Sequence, residues 1–207
     1  MHLVQLRVAV SGHAHHGCRP LKTYLIRELG SGDIEELNRW RNDPDVIGSL
    51  VAPFRHIGLE TDRAWFEHYL ANRATNVRLA ICHASSGTIV GAAYLTGIDW
   101  IARSGELGIW IGVPEHRGRG AGEFASRAVL RHAFRDLNLH RVHLSVIEGN
   151  TAAHSLYRKL GFADEGRARE AAFKNGRHVD LIRMAILAAD YRVQPRMLDA
   201  VDGEVRG

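Results

Sequence analysis

Val113-Pro114-Glu115-His116-Arg117-Gly118-Arg119-Gly120-Ala121-Gly122 lies between an alternating apolar run and a long amphipathic one, and its reading decides the fold. Gly118, Gly120 and Gly122 occupy three of five positions, so the backbone can approach a ligand closely with its amides turned outward. The helix that follows adds N–H groups without partners and the positive end of its dipole. Together these features make a cradle for a pyrophosphate, a merely flexible turn being the alternative reading of so short a pattern. There is no Gly-Lys-Ser/Thr, which excludes the P-loop of a nucleoside triphosphatase. Nor is this the first βα unit of a parallel sheet with a later acidic ribose ligand, so a dinucleotide fold fits poorly.

Immediately upstream, 105–113 reads as a strand. Period-two alternation sets Glu106, Gly108, Trp110 and Gly112 on one face and Leu107, Ile109, Ile111 and Val113 on the other. A carboxylate beside glycines and a tryptophan on a central strand makes Glu106 a candidate base; a structural glutamate paired with an arginine is the alternative. Two further strands precede it, 77–84 and 88–96, joined by the turn Ser85-Ser86-Gly87. Before them come a strand at 24–29 and a helix at 34–42 with Asp33 and Glu36 as its capping box. A second helix starts at Thr61 and carries Trp65, Phe66, Tyr69 and Leu70 as an apolar stripe. The stretch 44–60 between these helices is a long loop or a broken helix.

Downstream, a helix over 120–137 carries Arg127, Arg131 and Arg135 as a solvated basic stripe opposite Phe124, Ala128 and Ala133. A strand at 141–147 follows, then a helix from Asn150 or Thr151 to Leu160, capped by Gly161. The regular pattern closes on a hairpin, 162–172 and 178–187, turning at Lys174-Asn175-Gly176. The order β-α-α-β-β-β-α-β-α-β-β describes one α/β layer domain, a mixed and mostly antiparallel sheet flanked by helices. It spans 23–188, between an N-terminal extension at 1–22 and a C-terminal tail at 189–207.

Composition sets the outer bounds. With 207 residues, 45% apolar and 24% charged, the chain supports one well-buried globular domain. No apolar run approaches the roughly 20 residues needed to cross a bilayer, and no secretory signal opens the sequence, so a cytoplasmic location without membrane attachment is expected. Cys18 and Cys82 are too few and too far apart for a disulfide framework or a zinc site. The formal charge of +4 favours anionic partners, but the basic residues are scattered and lack an interleaved aromatic pattern. Nucleic acid is therefore not expected as a partner. His13, His15 and His16 read as part of a connector, with metal binding as the alternative.

A second segment supports the first independently. Asn150-Thr151-Ala152-Ala153-His154-Ser155-Leu156-Tyr157-Arg158-Lys159-Leu160-Gly161-Phe162 resembles the GNAT stretch Asn-x-x-Ala/Ser-x-x-Leu-Tyr-x-Lys-x-Gly-Phe. Arg117, Gly120 and Gly122 match the GNAT acetyl-CoA signature Arg/Gln-x-x-Gly-x-Gly/Ala, in the family's order and separation. The chain is identified on these motifs as a member of the GNAT N-acetyltransferases. It is most similar to the branch holding ribosomal-protein alanine, spermidine and nucleotide-sugar amine acetyltransferases, through Trp40 to Val46 and through 166–184.

The resemblance implies direct acetyl transfer from acetyl-CoA to a primary amine, without a metal and without a covalent acyl-enzyme. It implies that Ile111, Gly112 and Val113 pair with the pantetheine arm. Arg117, Gly118, Arg119, Gly120, Ala121 and Gly122 would hold the pyrophosphate, and Asn150 and Tyr157 would contact the coenzyme. Glu106 would take the amine proton and Tyr157 would protonate the departing sulfur. Trp40, Arg41, Trp110 and Phe173 are the candidate acceptor-binding residues.

Two segments are expected to wall the acceptor: the loop after the first helix, with Arg41, Arg55 and His56, and the final hairpin, with Lys174, Arg177 and His178. Neither is dominated by carboxylates, so a small neutral or anionic amine such as an amino sugar is expected before a polycation. A protein N-terminus, a polyamine and a non-catalytic acetyl-CoA-binding module are the alternatives, in a monomer or homodimer.

Overall fold

The computed structural model describes residues 23–192; the expected N-terminal extension, with its histidine cluster, lies outside them. Seven strands form one sheet in the order β1-β2-β3-β4-β5-β7-β6. They are β1 Tyr24–Glu28, β2 Val77–His83, β3 Ile89–Asp99, β4 Ser104–Ile111, β5 Arg141–Ile147, β6 Ala163–Lys174 and β7 Arg177–Leu187. Every neighbouring pair is antiparallel except β4 and β5, whose connection crosses over through a helix. The expected architecture, a mostly antiparallel sheet flanked by helices, is the observed one.

Alternation along β4 sorts the two cores. Leu107 is buried on one face with α4 (Ala121–Arg131) and α5 (Thr151–Lys159), among Val129, Leu130, Val142, Tyr157 and Leu160. Trp110 is buried on the other face with α1 (Ile34–Arg41) and α3 (Leu59–Ala71), among Leu37, Trp40, Phe66 and Tyr69. Gly112 is required here: a Cβ on it would fall 2.0 Å from Cδ2 of Trp40. The indole therefore lies flat against the backbone of the chain just beyond β4.

Several boundaries depart from expectation for identifiable reasons. The Asp33 side chain does not cap α1; it accepts from the Gly30 N–H at 2.8 Å and from Arg27, closing a 3₁₀ turn one step earlier. Glu36 pairs with Arg39 rather than completing a box. The helix expected from Thr61 begins at Leu59, two residues earlier, and its Leu70 is exposed. Within 44–60 the short helix α2, Pro44–Ile47, forms because the Asp43 carboxylate accepts from the Asp45 N–H. The long helix ends as α at Arg131 and makes one π turn over His132–Asp136, with Leu137 N–H reaching His132 O. Its buried residues are Ala121, Ala125, Ser126, Val129 and Leu130; of the expected apolar side, Ala133 is buried and Phe124 packs partly buried against the same core. The basic stripe is largely committed to ion pairs, Arg127 with Glu123 and Arg131 with Asp136.

The C-terminal half follows the sequence reading closely. Asn150 Oδ1 caps α5 through the Ala153 N–H, and Gly161 ends it at φ 93°. Gly161 N–H bonds Arg158 O while Phe162 N–H bonds Tyr157 O, the paired contacts of a Schellman cap. Asn175 and Gly176, both at positive φ, make the two-residue turn between β6 and β7. A final short helix, α6 Ala188–Arg192, packs Tyr191 against Phe134.

The sharpest test of this packing is the α1–α3 junction. Asp62 is 1% exposed, accepts from Asn38 Nδ2 at 2.7 Å and forms an ion pair with Arg41. Asp62→Ala removes the carboxylate and strands a half-buried guanidinium, so a loss of about 3 kcal/mol is expected. Chemical denaturation would read it as a lowered midpoint. A loss below about 1 kcal/mol would mean that water replaces the pair.

A parted sheet at the candidate active site

The parallel pairing of β4 and β5 covers only Ser104–Arg141, Gly105–Val142 and Glu106–His143. Beyond it β5 continues along β7 to Ile147, and β4 continues along β3 to Ile111, so the sheet parts down its middle. Gly112 and Val113 both donate their N–H to Val90 O on the β3 side. By the alternation of an antiparallel ladder, the peptide groups of Ile109 and Ile111 then point into the gap. Unpaired backbone at the centre of a sheet calls for a partner. An extended chain carrying amide groups fits it as an added strand would. Of the three residues expected to meet such an arm, Ile111 turns its N–H towards the gap by this alternation, whereas Gly112 and Val113 donate theirs to Val90 O.

The glycine turn closes one end of the gap. Gly118 and Gly120 adopt φ of 69° and 87°, the left-handed region that favours glycine, and Gly120 begins α4. Among the described residues the N–H groups of Gly118, Arg119 and Gly120 donate to no backbone carbonyl. Those of Ala121 and Gly122 are first-turn amides with no acceptor behind them. Five outward donors at a helix start fit a pyrophosphate. Arg119 is exposed at this turn, while Arg117 Nε folds back onto Ile111 O at 3.1 Å. Glu123, in the first helical turn, is held by Lys159 and Arg127, which keep its carboxyl below the usual range and quench its charge near an anion.

Tyr157 comes from α5 on the far side. It is 7% exposed, and its hydroxyl makes no hydrogen bond among the described residues. Burial alone pushes its pKa up to about 12. Asn150, expected to contact the coenzyme, caps α5 through its Oδ1 and donates its Nδ2 to Ser49 O, at 3.2 Å each.

Glu106 lies at the fork, where the two strands begin to part. It is exposed and carries no ion pair among the described residues, so the arginine-paired alternative is not what the structure contains. Across the fork is His143, whose Nδ1 is buried without a partner. A Cβ on Gly108, on the face of Glu106, would meet nothing within 4 Å. A buried nitrogen such as His143 Nδ1, without a hydrogen-bond partner among the described residues, is rare in a finished interior and fits a place where a molecule binds. The gap and the glycine turn with its outward donors fit an acyl-coenzyme A.

The other candidate acceptor residues divide. Trp40 is buried edge-to-face on Trp110, at 5.7 Å between ring centroids, and serves as packing behind the site. Arg41 is neutralised by Asp62. Phe173 is exposed and meets the His178 ring edge-to-face. Lys174 is 8% exposed and donates to Ile47 O and Ala52 O, so it contributes no free charge to the mouth.

Sequence reasoning missed His143, Tyr94 and Arg78. Arg78 lies over Trp65 at 4.5 Å and Tyr94 at 4.8 Å, and desolvation lowers its pKa. Their only signal was alternation on strands β2, β3 and β5, which does not say what faces them. Among the described residues no group of three or more His, Cys, Asp or Glu gathers to hold a metal, and no helix is long and apolar enough to cross a membrane.

Comparison with known proteins agrees with this geometry. Residues 24–163 match the acetyltransferase (GNAT) domain family. The chain is 30% identical over 167 residues to a spermidine N(1)-acetyltransferase of Vibrio cholerae, covering 80% of this chain and 94% of that one. It is 32% identical over 105 residues to the putative ribosomal N-acetyltransferase YdaF of Bacillus subtilis, covering 51% of this chain and 57% of that one. The crystal structure of the Vibrio cholerae spermidine N-acetyltransferase with CoA and spermine superposes with a TM-score of 0.77 at 27% identity, over 83% of this chain and 99% of that one.

Proposed function

This chain belongs to the GNAT acetyltransferase family and is an acetyl-CoA-dependent N-acetyltransferase, and from that premise we propose that its acceptor is a polyamine-class primary amine. The observation that carries the transfer reaction is the parting of β4 from β5, with Glu106 at the fork and Tyr157 on the far wall. Acetyl-CoA supplies an activated acetyl thioester. Glu106 accepts the proton of the incoming ammonium, directly or through water, because only the free amine attacks. The Ile111 N–H faces the gap, where it can bond the carbonyl oxygen as that oxygen gains charge. Tyr157 donates to the departing sulfur.

The preference for a polyamine rests on two supports. The spermidine acetyltransferase matches almost its whole length to this chain. The basic count around the acceptor loops also overstates their charge, since Arg41 is cancelled by Asp62 and Lys174 is withdrawn into backbone carbonyls. An exposed, unpaired Glu106 then remains to attract a cation. A second reading, an amine that also carries an anionic group such as a nucleotide-linked amino sugar, is favoured by Arg78, which has no carboxylate partner among the described residues.

Free-thiol release from acetyl-CoA across spermidine, spermine, nucleotide-linked amino sugars and short peptides with free N-termini decides between them. Spermidine or spermine should turn over fastest. Turnover confined to the anionic amines or peptides would overturn the polyamine assignment.

A further inference from the structure

The segment after α2 is held from outside by its carbonyl groups. Lys174, on β6 next to the hairpin turn, donates its Nζ to Ile47 O at 3.2 Å and to Ala52 O. Asn150, at the start of α5, donates its Nδ2 to Ser49 O at 3.2 Å. Three carbonyls within six residues are thus gripped by side chains more than 100 positions away in sequence, from the other side of the parted sheet. The stretch has few anchors of its own: Val51 to His56 are all exposed. Few buried apolar contacts and an exposed backbone are the properties of a segment that opens locally at little cost.

The ammonium of Lys174 is unusual in its setting. It is 8% exposed, and its Nζ pairs with no carboxylate among the described residues. Desolvation lowers its pKa. Burying a charge on carbonyl oxygens alone is costly, and such an arrangement is retained where it fixes geometry. The Asn150 amide is bidentate in the same sense: Oδ1 caps the helix that carries Tyr157, and Nδ2 reaches the loop.

We propose that Lys174 and Asn150 form a clamp that positions the 47–52 loop, and with it the acceptor amine, relative to the helix bearing Tyr157. Both are positioning residues, acting through the loop and not on the reacting atoms. The clamp itself follows from the hydrogen bonds; its effect on the amine rests on the acetyltransfer reading above.

The test uses the full chain and two variants. Lys174→Met removes the charge and keeps the stem. Asn150→Asp keeps the capping oxygen, removes the donor to Ser49 and sets a carboxylate oxygen against the Ser49 carbonyl. Hydrogen exchange is read at Gly48 and Leu50, whose N–H groups bond Pro44 O and Ile47 O. Lys174→Met should speed exchange there by about tenfold or more, with β3 and β4 unchanged. Asn150→Asp should move it in the same direction by less, and Lys174→Arg should restore part of the protection.

In steady state, Lys174→Met should raise the KM for the amine about tenfold while acetyl-CoA affinity stays within about twofold. Unchanged exchange at Gly48 and Leu50 in both variants overturns the clamp. Faster exchange with an unchanged amine KM, or with an equal loss of acetyl-CoA affinity, overturns its role in positioning the acceptor. A parent protein inert on every amine would instead sink the acceptor assignment, and the exchange data would still decide the clamp. Should Lys174→Met fail to fold by circular dichroism, Lys174→Gln, which also removes the charge, carries the same readings.

Discussion

Tyr157→Phe is expected to lower kcat about 100-fold while acetyl-CoA binds as before. Tyr157 is buried and its hydroxyl makes no hydrogen bond among the described residues, so removing it breaks no internal hydrogen bond. Its raised pKa sets the size of the effect. A phenol pushed up to about 12 by burial is protonated at every working pH but gives its proton up reluctantly. A thiol, by contrast, has an ordinary pKa of about 8.5. Complete transfer to the sulfur would therefore run uphill. A hydrogen bond that stabilises the departing thiolate is what such a group does best.

The expected loss accordingly sits at the low end of general acid catalysis. An undiminished kcat would remove Tyr157 from the chemistry. The same shift bears on pH. Because the folded pKa lies above the unfolded value of about 10, the stabilising contribution of Tyr157 is complete below that value. It is lost as pH rises towards 12. Tyr157 should therefore impose no alkaline limb on kcat below about pH 11.

Glu106→Gln should cost about 100-fold in kcat/KM for the amine at neutral pH, again without loss of acetyl-CoA affinity. Gln keeps the shape and the exposure of the side chain, and no ion pair is broken because none exists among the described residues. The diagnostic feature is the pH profile. The defect should shrink as pH approaches the amine's own pKa, about 10.4 for a lysine-like ammonium, where solvent has already removed the proton. A defect that is constant with pH would point to acceptor binding by the carboxylate rather than proton removal. Unchanged turnover would move the base elsewhere, with His143 across the fork next in position.

Much of this was legible in the residues. The alternation of Leu107 to Ile111 placed the side chains of β4 on their observed faces, because a strand's period of two leaves no freedom once one member is buried. The glycines at 118 and 120 announced positive φ, and the stretch 150–162 announced a capped helix with Tyr157 on its buried side. These are local signals, written within a few residues of where they act. Two boundaries fail for different reasons: the Asp33 carboxylate is taken up by Arg27 and the Gly30 N–H, and the turn from Gly58 starts the second helix at Leu59 before Thr61 can cap it.

Charge around the acceptor was misread for a related reason. Counting Arg41 and Lys174 as free cations ignored Asp62, which is 21 positions from Arg41, and the carbonyls of Ile47 and Ala52, more than 120 positions from Lys174. The electrostatic value of a side chain depends on its burial and partners, and neither is a property of its neighbours in sequence.

Periodicity, glycine geometry and motifs read in order were thus enough for the sheet and its helices, the glycine turn before α4 and the family. Only the closed chain settles that β4 and β5 part after Glu106, which backbone groups face the gap, and which polar side chains are spent on the 47–52 loop. Those outcomes depend on hydrogen bonds between segments far apart in the chain, and such pairings exist only once the chain has closed on itself.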